Sequence, residues 1–318
     1  MRRQNPGEAM RYSVVIPAYN ASGHIKKALE SIFASVDERL GIELEVIVVN
    51  DGSEDTEALM AICQSFPGVR VLRHERNRGM CAARNSGFSA SSGDFVTLLD
   101  SDDEFIPGWL NALTEIIADW PARANVCFTP CINDAGEQTC VRPGYRGWLT
   151  AEDMVMEKLT GEYNPIFRGD YIRRTGYADL GTRKSCGLLT YLRMAREAPF
   201  WITDKVQRLY HDAVEASVTR GWTRPDKAAE TYYCFSSVLE VHGDFIRGVS
   251  PERYLALQHK LLIYQMLSGQ GRNFNEWLRA RTWSKSWLAG LVLLVVGPWG
   301  TAHLLGAAKR WSVLRRYG

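Results

Sequence analysis

Blocks of apolar residues separated by polar turns dominate the first 120 residues of the chain. Four blocks are short and almost continuously apolar, which predicts strands buried on both faces. Between them, apolar residues recur every three or four positions, as on one face of a helix. The predicted strands cover residues 12–16, 44–49, 69–72 and 95–99, and the predicted helices cover 25–33, 59–66, 79–90 and 109–120. This order predicts an α/β fold, with a mostly parallel sheet and helices on both faces.

A polar, turn-forming segment follows each of the four predicted strands. In parallel sheets, ligands bind beyond the carboxyl ends of the strands, so we expect these four segments to meet at one site. The segments are Pro17–Asn20, Asn50–Ser53, His74–Gly79 and Asp100–Asp103. A single polar loop is ordinary, but four of them together with a carboxylate cluster favour a binding site.

The last of these segments contains three aspartates within four positions: Asp100, Asp102 and Asp103. An isolated aspartate titrates near pH ~3.9, so three neighbouring carboxylates repel one another at neutral pH unless a cation is present. Hard oxygen ligands suit Mg²⁺ or Mn²⁺, which commonly connect a few carboxylates to the phosphates of a substrate. The alternative is an acidic loop that caps the following helix.

The composition is that of a folded globular protein, with 318 residues, 46% of them apolar and 23% charged. Seven cysteines, an odd number at irregular spacings, predict reduced and mostly buried thiols, which are typical of the cytosol. The N-terminal residues contain no apolar stretch, so we expect no secretory signal. A dinucleotide-binding enzyme needs G-x-G-x-x-G after the first strand and a P-loop NTPase needs G-x-x-x-x-G-K-[ST]; the sequence contains neither motif.

Four motifs together resemble the nucleotide-sugar-binding half of family 2 glycosyltransferases, which have the GT-A fold. They are VVIPAYN, VVNDGSEDT, RNRGMCAARNSG and SGDFVTLLDSDD, with Pro107 after them. The resemblance covers about the first 120 residues, in the right order and spacing, and the motifs are highly specific as a set.

The resemblance implies a role for each matching residue. It implies a nucleobase site at Pro17, Tyr19 and Asp51, in which Asp51 accepts a hydrogen bond from a base N–H, and it adds Asn20 to the residues that bind the nucleotide sugar. It places Arg84 near the base or the phosphates. It further implies that Asp100 faces the ribose or the metal, and that Asp102 binds the metal, Mn²⁺ or Mg²⁺, that bridges the diphosphate. A divalent ion at this position neutralises the charge that develops on a diphosphate leaving group.

The second half of the chain departs from the family pattern at the catalytic base. Many members carry a Glu-Asp pair at the start of a helix, and the second acid is the base; here Cys186 and Gly187 stand at those positions. Asp179 is the nearest candidate to replace it, and Asp204 is a weaker one. Two alternatives stay open: an acceptor that is already an anion and needs no base, or a protein that binds without transferring. General base catalysis contributes ~10²–10⁴-fold, so its loss would be severe for a hydroxyl acceptor.

We predict three regions along the chain. Residues 1–215 form the GT-A domain, with a nucleotide-sugar-binding half at 1–120 and an acceptor half at 121–215, and residues 216–285 are helical. Residues 286–318 form an apolar and basic tail that associates with membranes. Its apolar run at 287–308 barely reaches the ~20 residues of a membrane span and is interrupted by Gly-Pro-Trp-Gly, so a helical hairpin lying on the cytosolic face fits better. The alternative is an ordinary buried helix pair.

The sequence therefore predicts a metal-dependent glycosyltransferase. It would move a sugar from a nucleoside diphosphate sugar, a UDP-sugar first, to a saccharide or lipid-linked acceptor in bacterial cell-envelope or exopolysaccharide synthesis. The resemblance implies inversion at the anomeric carbon, and the absence of Gln-x-x-Arg-Trp favours a non-processive enzyme. We expect a cytoplasmic protein, peripheral on the membrane, with no nucleic-acid partner. Alternatives are a polyprenyl-phosphate glycosyltransferase and a non-catalytic nucleotide-sugar-binding scaffold.

Overall fold

The computed structural model describes residues 9–36, 38–211 and 225–268. The chain divides into two compact units, residues 1–185 with 193–215, and residues 186–192 with 216–318. The strands are β1 Met10–Ala18, β2 Ile42–Asn50, β3 Val69–Arg73, β4 Phe95–Leu98, β5 Glu104–Phe105, β6 Val126–Ile132, β7 Gly147–Leu149, β8 Tyr163–Arg168, β9 Phe200–Ile202 and β10 Arg208–Leu209. The helices are α1 Ile25–Phe33, α2 Thr56–Gln64, α3 Met80–Ala90, α4 Trp109–Asp119, α5 Ala151–Val155, α6 Gly169–Thr175, α7 Gly187–Glu197, α8 Pro225–Val249 and α9 Pro251–Leu267.

The first four strands form a parallel sheet in the order β3-β2-β1-β4. Val14, Val15 and Ile16 of the central strand β1 are all fully buried. A run of consecutive buried residues requires cover on both faces of the sheet, which is why these strands are continuously apolar. The α/β fold expected from the sequence, with a helical C-terminal region, is confirmed.

The order of the strands reverses direction beside β1. The chain adds β2 and then β3 on one side of β1, and it returns to add β4 on the other side. Such a reversal leaves a crevice at the carboxyl ends of the two diverging strands, where ligands of open α/β sheets bind. The crevice lies between the segments that follow β1 and β4.

Beyond β4 the sheet becomes mixed. Strand β8 pairs antiparallel with both β4 and β6, and β10 then joins β6 to β5. None of β5, β7, β8, β9 and β10 is predicted from the sequence, and four of them have only two or three residues. The sheet is therefore parallel in the first half of the unit and mixed in the second.

Aromatic side chains fix the packing of the strand-connecting segments against the sheet. Trp109 at the start of α4 is fully buried and stacks on Phe105, with ring centroids 4.3 Å apart. Its Nε1–H donates to the carbonyl of Ile32 at 3.3 Å. Because Phe105 follows the aspartate segment directly, this packing anchors that segment to α1.

The second unit contains the hairpin of α8 and α9, which join at Ser250. Ser250 caps α9 by accepting a hydrogen bond from the backbone N–H of Arg253 at 3.2 Å, and Phe235 stacks on Tyr264. Across residues 9–36, 38–211 and 225–268, no helix is long and apolar enough to cross a membrane. The predicted tail at 286–318 lies outside the described residues.

Candidate functional site

Hydrogen bonds join the segments after β1 and β2 into one rigid edge. Asn20 has a left-handed backbone with φ of 51°. Its N–H donates to Ser53 Oγ at 3.0 Å, and its Oδ1 accepts from the N–H of Glu54 at 2.9 Å. Tyr19 is 47% exposed beside this connection. Pro17 is the second-last residue of β1. The edge therefore presents an aromatic ring to solvent next to a fixed loop.

Asp51 is a buried carboxylate that binds the segment after β3 by hydrogen bonds. Its Oδ1 accepts from His74 Nδ1 at 2.6 Å and from the N–H of Arg78 at 2.9 Å, and its Oδ2 accepts from the N–H of Gly79 at 2.9 Å. The segment can approach this closely because residue 52 is glycine. A Cβ on Gly52 would lie 2.3 Å from the carbonyl carbon of Arg76.

On the other side of β1, Asp100 pairs with two arginines. Arg84 of α3 donates to Asp100 Oδ1 at 2.9 Å, and its Cζ lies 5.4 Å from the centre of the Tyr177 ring. Arg208 Nη1 lies 3.4 Å from Asp100 Oδ2. Burial opposes ionisation, but the two guanidinium groups outweigh it and hold the pKa of Asp100 below its usual range.

Arg208 is a buried residue that the sequence analysis missed. Its Nη1 lies 3.3 Å from Asp103, its Nη2 lies 3.7 Å from Glu162, and its Nε donates to Cys131 Sγ at 3.3 Å. It comes from β10, whose two residues pair with β6 and β5. Since only this long-range pairing brings Arg208 to the aspartates, no local pattern marks it.

The other two aspartates have raised pKa values. Burial raises the pKa of Asp102, and the charge of Asp100 raises it further. Burial likewise raises the pKa of Asp103 to about 7, although Arg208 opposes the shift. Carboxylates in such surroundings gain from a nearby cation.

Asp100 and Asp102 fit a divalent cation by their chemistry, because they offer carboxylate oxygen ligands and because the charge of Asp100 acts on Asp102. Two carboxylates leave most of the coordination sphere to water and substrate oxygens, as is usual for Mg²⁺. Within the part of the chain that the structure describes, no group of three or more His, Cys, Asp or Glu side chains is arranged to hold a metal.

His211 lies between acidic side chains, in contact with the aspartate segment. Its Nδ1 lies 2.5 Å from Asp134 and its Nε2 lies 3.0 Å from Glu104. Its backbone N–H donates to Asp103 at 3.1 Å. Burial lowers the pKa of His211, but the hydrogen bonds to the two acids outweigh it and the net shift is upward.

Asp179 lines an open cavity of about 590 Å³ together with Asn85 and Ser86 of α3 and with Arg78. Asp204, the weaker candidate base, is exposed just after β9.

The sheet with its reversal beside β1, the aspartate segment after β4 and the antiparallel β8 define a GT-A fold. The structure is similar to that of S. aureus TarS residues 1–349 in complex with UDP-GlcNAc, with a TM-score of 0.56 and 17% identity. The similarity covers 89% of this chain and 80% of that one. A second structure of TarS 1–349, in complex with UDP, gives a TM-score of 0.54.

Residues 13–169 match the family described as Glycosyl transferase family 2, which identifies this part of the chain as a domain of that family. The chain is 38% identical to the succinoglycan biosynthesis protein ExoO of Rhizobium meliloti over 101 aligned residues. The aligned residues make up 32% of this chain and 28% of that protein. The chain is 36% identical to glycosyltransferase GlyA of Streptococcus pneumoniae over 115 aligned residues, which make up 35% of this chain and 16% of that protein. The chain thus matches less than a third of the length of these two relatives.

Proposed function

We propose that the protein transfers a sugar from a nucleoside diphosphate sugar to a saccharide or lipid-linked acceptor. One observation carries the proposal: Asp51 and Asp100 follow the two strands that flank β1, at the point where the strand order reverses. Two strand spacings separate them, about 10 Å, which suits a ligand with a base at one end and phosphates at the other. Tyr19 lies between them at the end of β1 and offers its exposed ring to the base.

Different residues of the site would bind different parts of the donor. Pro17, Tyr19, Asn20 and Asp51 frame the nucleobase, and Arg84 lies on the phosphate side, next to Asp100. Asp100 and Asp102 would hold Mn²⁺ or Mg²⁺, which supplies charge neutralisation for the departing diphosphate. Arg84 and Arg208 keep Asp100 ionised, so its carboxylate is ready to bind a cation.

A UDP-sugar is the first donor to test, because structurally similar TarS is described in complex with UDP-GlcNAc and with UDP. Similarity to a succinoglycan biosynthesis protein supports an exopolysaccharide or cell-envelope acceptor. We further propose a single displacement with inversion and addition of one sugar per acceptor.

For a hydroxyl acceptor, we propose Asp179 as the general base. It would take the hydroxyl proton while the acceptor oxygen bonds to the anomeric carbon and the bond to the diphosphate breaks. Asp179→Asn should then lower turnover by ~10²–10⁴-fold, with Asp170→Asn, at a carboxylate that is 89% exposed, as the matched control. Near wild-type rates for Asp179→Asn would eliminate Asp179 as the base.

A second candidate is a polyprenyl-phosphate glycosyltransferase, favoured by Cys186 and Gly187 at the positions of the family's acidic pair. A phosphate acceptor is already an anion and needs no base. Transfer to a lipid phosphate that survives Asp179→Asn would favour this reading, whereas transfer to a saccharide that is lost in the variant would favour the first.

The decisive experiment is a thermal-shift panel of UDP-, GDP- and dTDP-sugars with and without Mn²⁺, followed by a transfer assay with the best donor. A ligand at 100 times its Kd stabilises the folded protein by about 2.7 kcal/mol, which is measurable. Donor binding without hydrolysis or transfer would favour the scaffold, and no stabilisation by any donor would contradict the proposal.

We also propose that the tail at 286–318 attaches the protein to the membrane surface. Its apolar run at 287–308 is flanked by Arg and Lys residues that attract anionic lipid. Truncation after Ser286 should release the protein from vesicles that contain anionic lipid. A truncated chain that still sediments with such vesicles would contradict this role.

A further inference from the structure

A chain of hydrogen bonds runs from Asp51 through His74 to Ser86. His74 Nδ1 lies 2.6 Å from Asp51 Oδ1, and His74 Nε2 lies 2.9 Å from Ser86 Oγ. Because a carboxylate only accepts hydrogen bonds, Nδ1 carries a proton, and Nε2 shares a hydrogen bond with the serine hydroxyl. The chain connects three separate elements: the segment after β2, the segment after β3, and α3.

The donors on Asp51 determine which of its oxygens remains available. Oδ1 accepts two hydrogen bonds, from His74 and from the N–H of Arg78, whereas Oδ2 accepts one, from the N–H of Gly79. Each carboxylate oxygen has two lone pairs, so Oδ1 is filled and Oδ2 keeps one. Only 3% of Asp51 is exposed to solvent, so an N–H donor on a ligand must meet it in a fixed direction.

The same three residue types form nucleophilic triads in hydrolases, but the surroundings of Ser86 do not fit that chemistry. A triad needs N–H donors aimed at the oxyanion of the intermediate. Ser86 lies inside α3, where backbone N–H groups bond to carbonyls of the preceding turn. The chain is therefore suited to hold a carboxylate in place rather than to activate a serine.

We propose that His74 is a positioning residue for nucleobase selection: held by Ser86, it orients Asp51 so that the remaining lone pair of Oδ2 accepts a ring N–H of the base. This inference rests on the proposed function. This arrangement suits uracil, whose N–H at ring position 3 can donate to the remaining lone pair of Asp51 Oδ2. Cytosine has a lone pair at that position, which a fixed carboxylate repels.

Titration calorimetry with UDP and CDP, in the presence of Mn²⁺, tests the inference. Wild type should prefer UDP by at least about tenfold, and His74→Leu should lose most of that preference because Asp51 is then held only by the N–H groups of Arg78 and Gly79. In His74→Asn the amide nitrogen takes the place of Nδ1 and donates to Asp51, so most of the preference should be retained. The effect should appear in the KM for the donor and not in kcat, since the base is remote from the reacting bond.

Ser86→Ala removes only the far end of the chain and should lower the UDP preference about threefold. Ser89→Ala is its matched control, because Ser89 lines the same cavity three residues further along α3 and should leave the preference unchanged. If His74→Leu does not fold, this pair of serine variants decides the matter.

A purely structural role for His74 would lower stability and leave the ratio of UDP to CDP affinity unchanged, and that result would overturn the inference alone. If wild-type protein binds neither UDP nor any other nucleoside diphosphate in the donor panel, the proposed function fails and the inference fails with it. The two failures are therefore distinguishable.

Discussion

Arg208 Nη1 lies 3.3 Å from Asp103 Oδ2, and both side chains are almost completely buried. The same nitrogen lies 3.4 Å from Asp100. One buried guanidinium thus lies against two members of the aspartate cluster and offsets part of the repulsion between them. The candidate metal ligands Asp100 and Asp102 therefore lie beside a buried ion-pair network that includes Asp100 itself.

Removal of this guanidinium should destabilise the fold. Arg208→Met leaves buried carboxylates without their partner, and breaking a buried pair in this way costs about 3–5 kcal/mol of unfolding free energy. Urea denaturation of the metal-free protein measures the loss. Lys26→Met, at an exposed lysine paired with Glu30, should change stability by less than about 1 kcal/mol.

A double variant tests the cause of that loss. Asp100 keeps Arg84 in Arg208→Met, whereas Asp103 loses its guanidinium, so Arg208→Met combined with Asp103→Asn should be more stable than Arg208→Met alone. Equal stability of the single and double variants would show that lost packing, and not unpaired charge, explains the effect.

Asp102→Asn should abolish the dependence of turnover on Mn²⁺ and lower kcat by at least about 10²-fold, since the variant loses a charged ligand for the ion that neutralises the leaving group. Transfer rates across a Mn²⁺ titration measure this. Asp170→Asn, at a carboxylate that is 89% exposed, is the matched control and should behave as wild type. An Asp102→Asn enzyme with the wild-type rate and manganese dependence would rule out Asp102 as a ligand.

The parallel half of the fold was predictable because its strands are buried on both faces. Runs such as Val46–Val49 are then continuously apolar, and α1 shows its buried face through Ile25, Ala28 and Leu29. The β8 strand has no such signal: its sequence Tyr-Asn-Pro-Ile-Phe-Arg contains a proline, which is depleted in central strands, yet it pairs with both β4 and β6.

The candidate site was predictable where it follows a strand directly. Asp51 comes directly after β2 and Asp100 comes two residues after β4, so their strands carry both carboxylates to the same edge of the sheet. Arg208 and His211 reach the aspartates through a strand of two residues, whose pairing depends on contacts with β5 and β6 distant in sequence. Nothing local in the sequence encodes such a contact.

Stability should depend on pH through His211. The pKa of His211 in the folded protein lies above the ordinary value of 6.5, because its hydrogen bonds to Glu104 and Asp134 outweigh the effect of burial. A raised pKa means that the folded state binds the proton more tightly than the unfolded state. The stabilisation is therefore complete below pH 6.5 and is lost as the pH rises through the folded-state pKa.

Replacement of the imidazole should remove this dependence. His211→Gln should be less stable than wild type by about 1 kcal/mol at low pH, and the difference should shrink as the pH rises above 6.5. Urea denaturation at about pH 6 and about pH 9 measures both differences. A difference of the same size at both pH values would contradict a role for the protonated ring.

The close approach of the segments after β2 and β3 should depend on Gly52. Its φ is +68°, and a Cβ would lie 2.3 Å from the carbonyl carbon of Arg76, which is backbone and cannot rotate away. Gly52→Ala should therefore cost about 1–3 kcal/mol of unfolding free energy and weaken donor binding, since Asp51 follows the displaced backbone.

Alanine variants of two other glycines distinguish the cost of the left-handed backbone from the cost of the steric clash. Gly68 has a φ of +78° but open space around its Cβ position, so Gly68→Ala should show only the cost of the left-handed conformation. Gly23 has neither constraint, and Gly23→Ala should be nearly neutral. Melting temperatures, with and without UDP, rank the three variants. Because only the clash at Gly52 displaces the segment that holds Asp51, Gly52→Ala alone should lose stabilisation by UDP; equal loss in Gly68→Ala would contradict this.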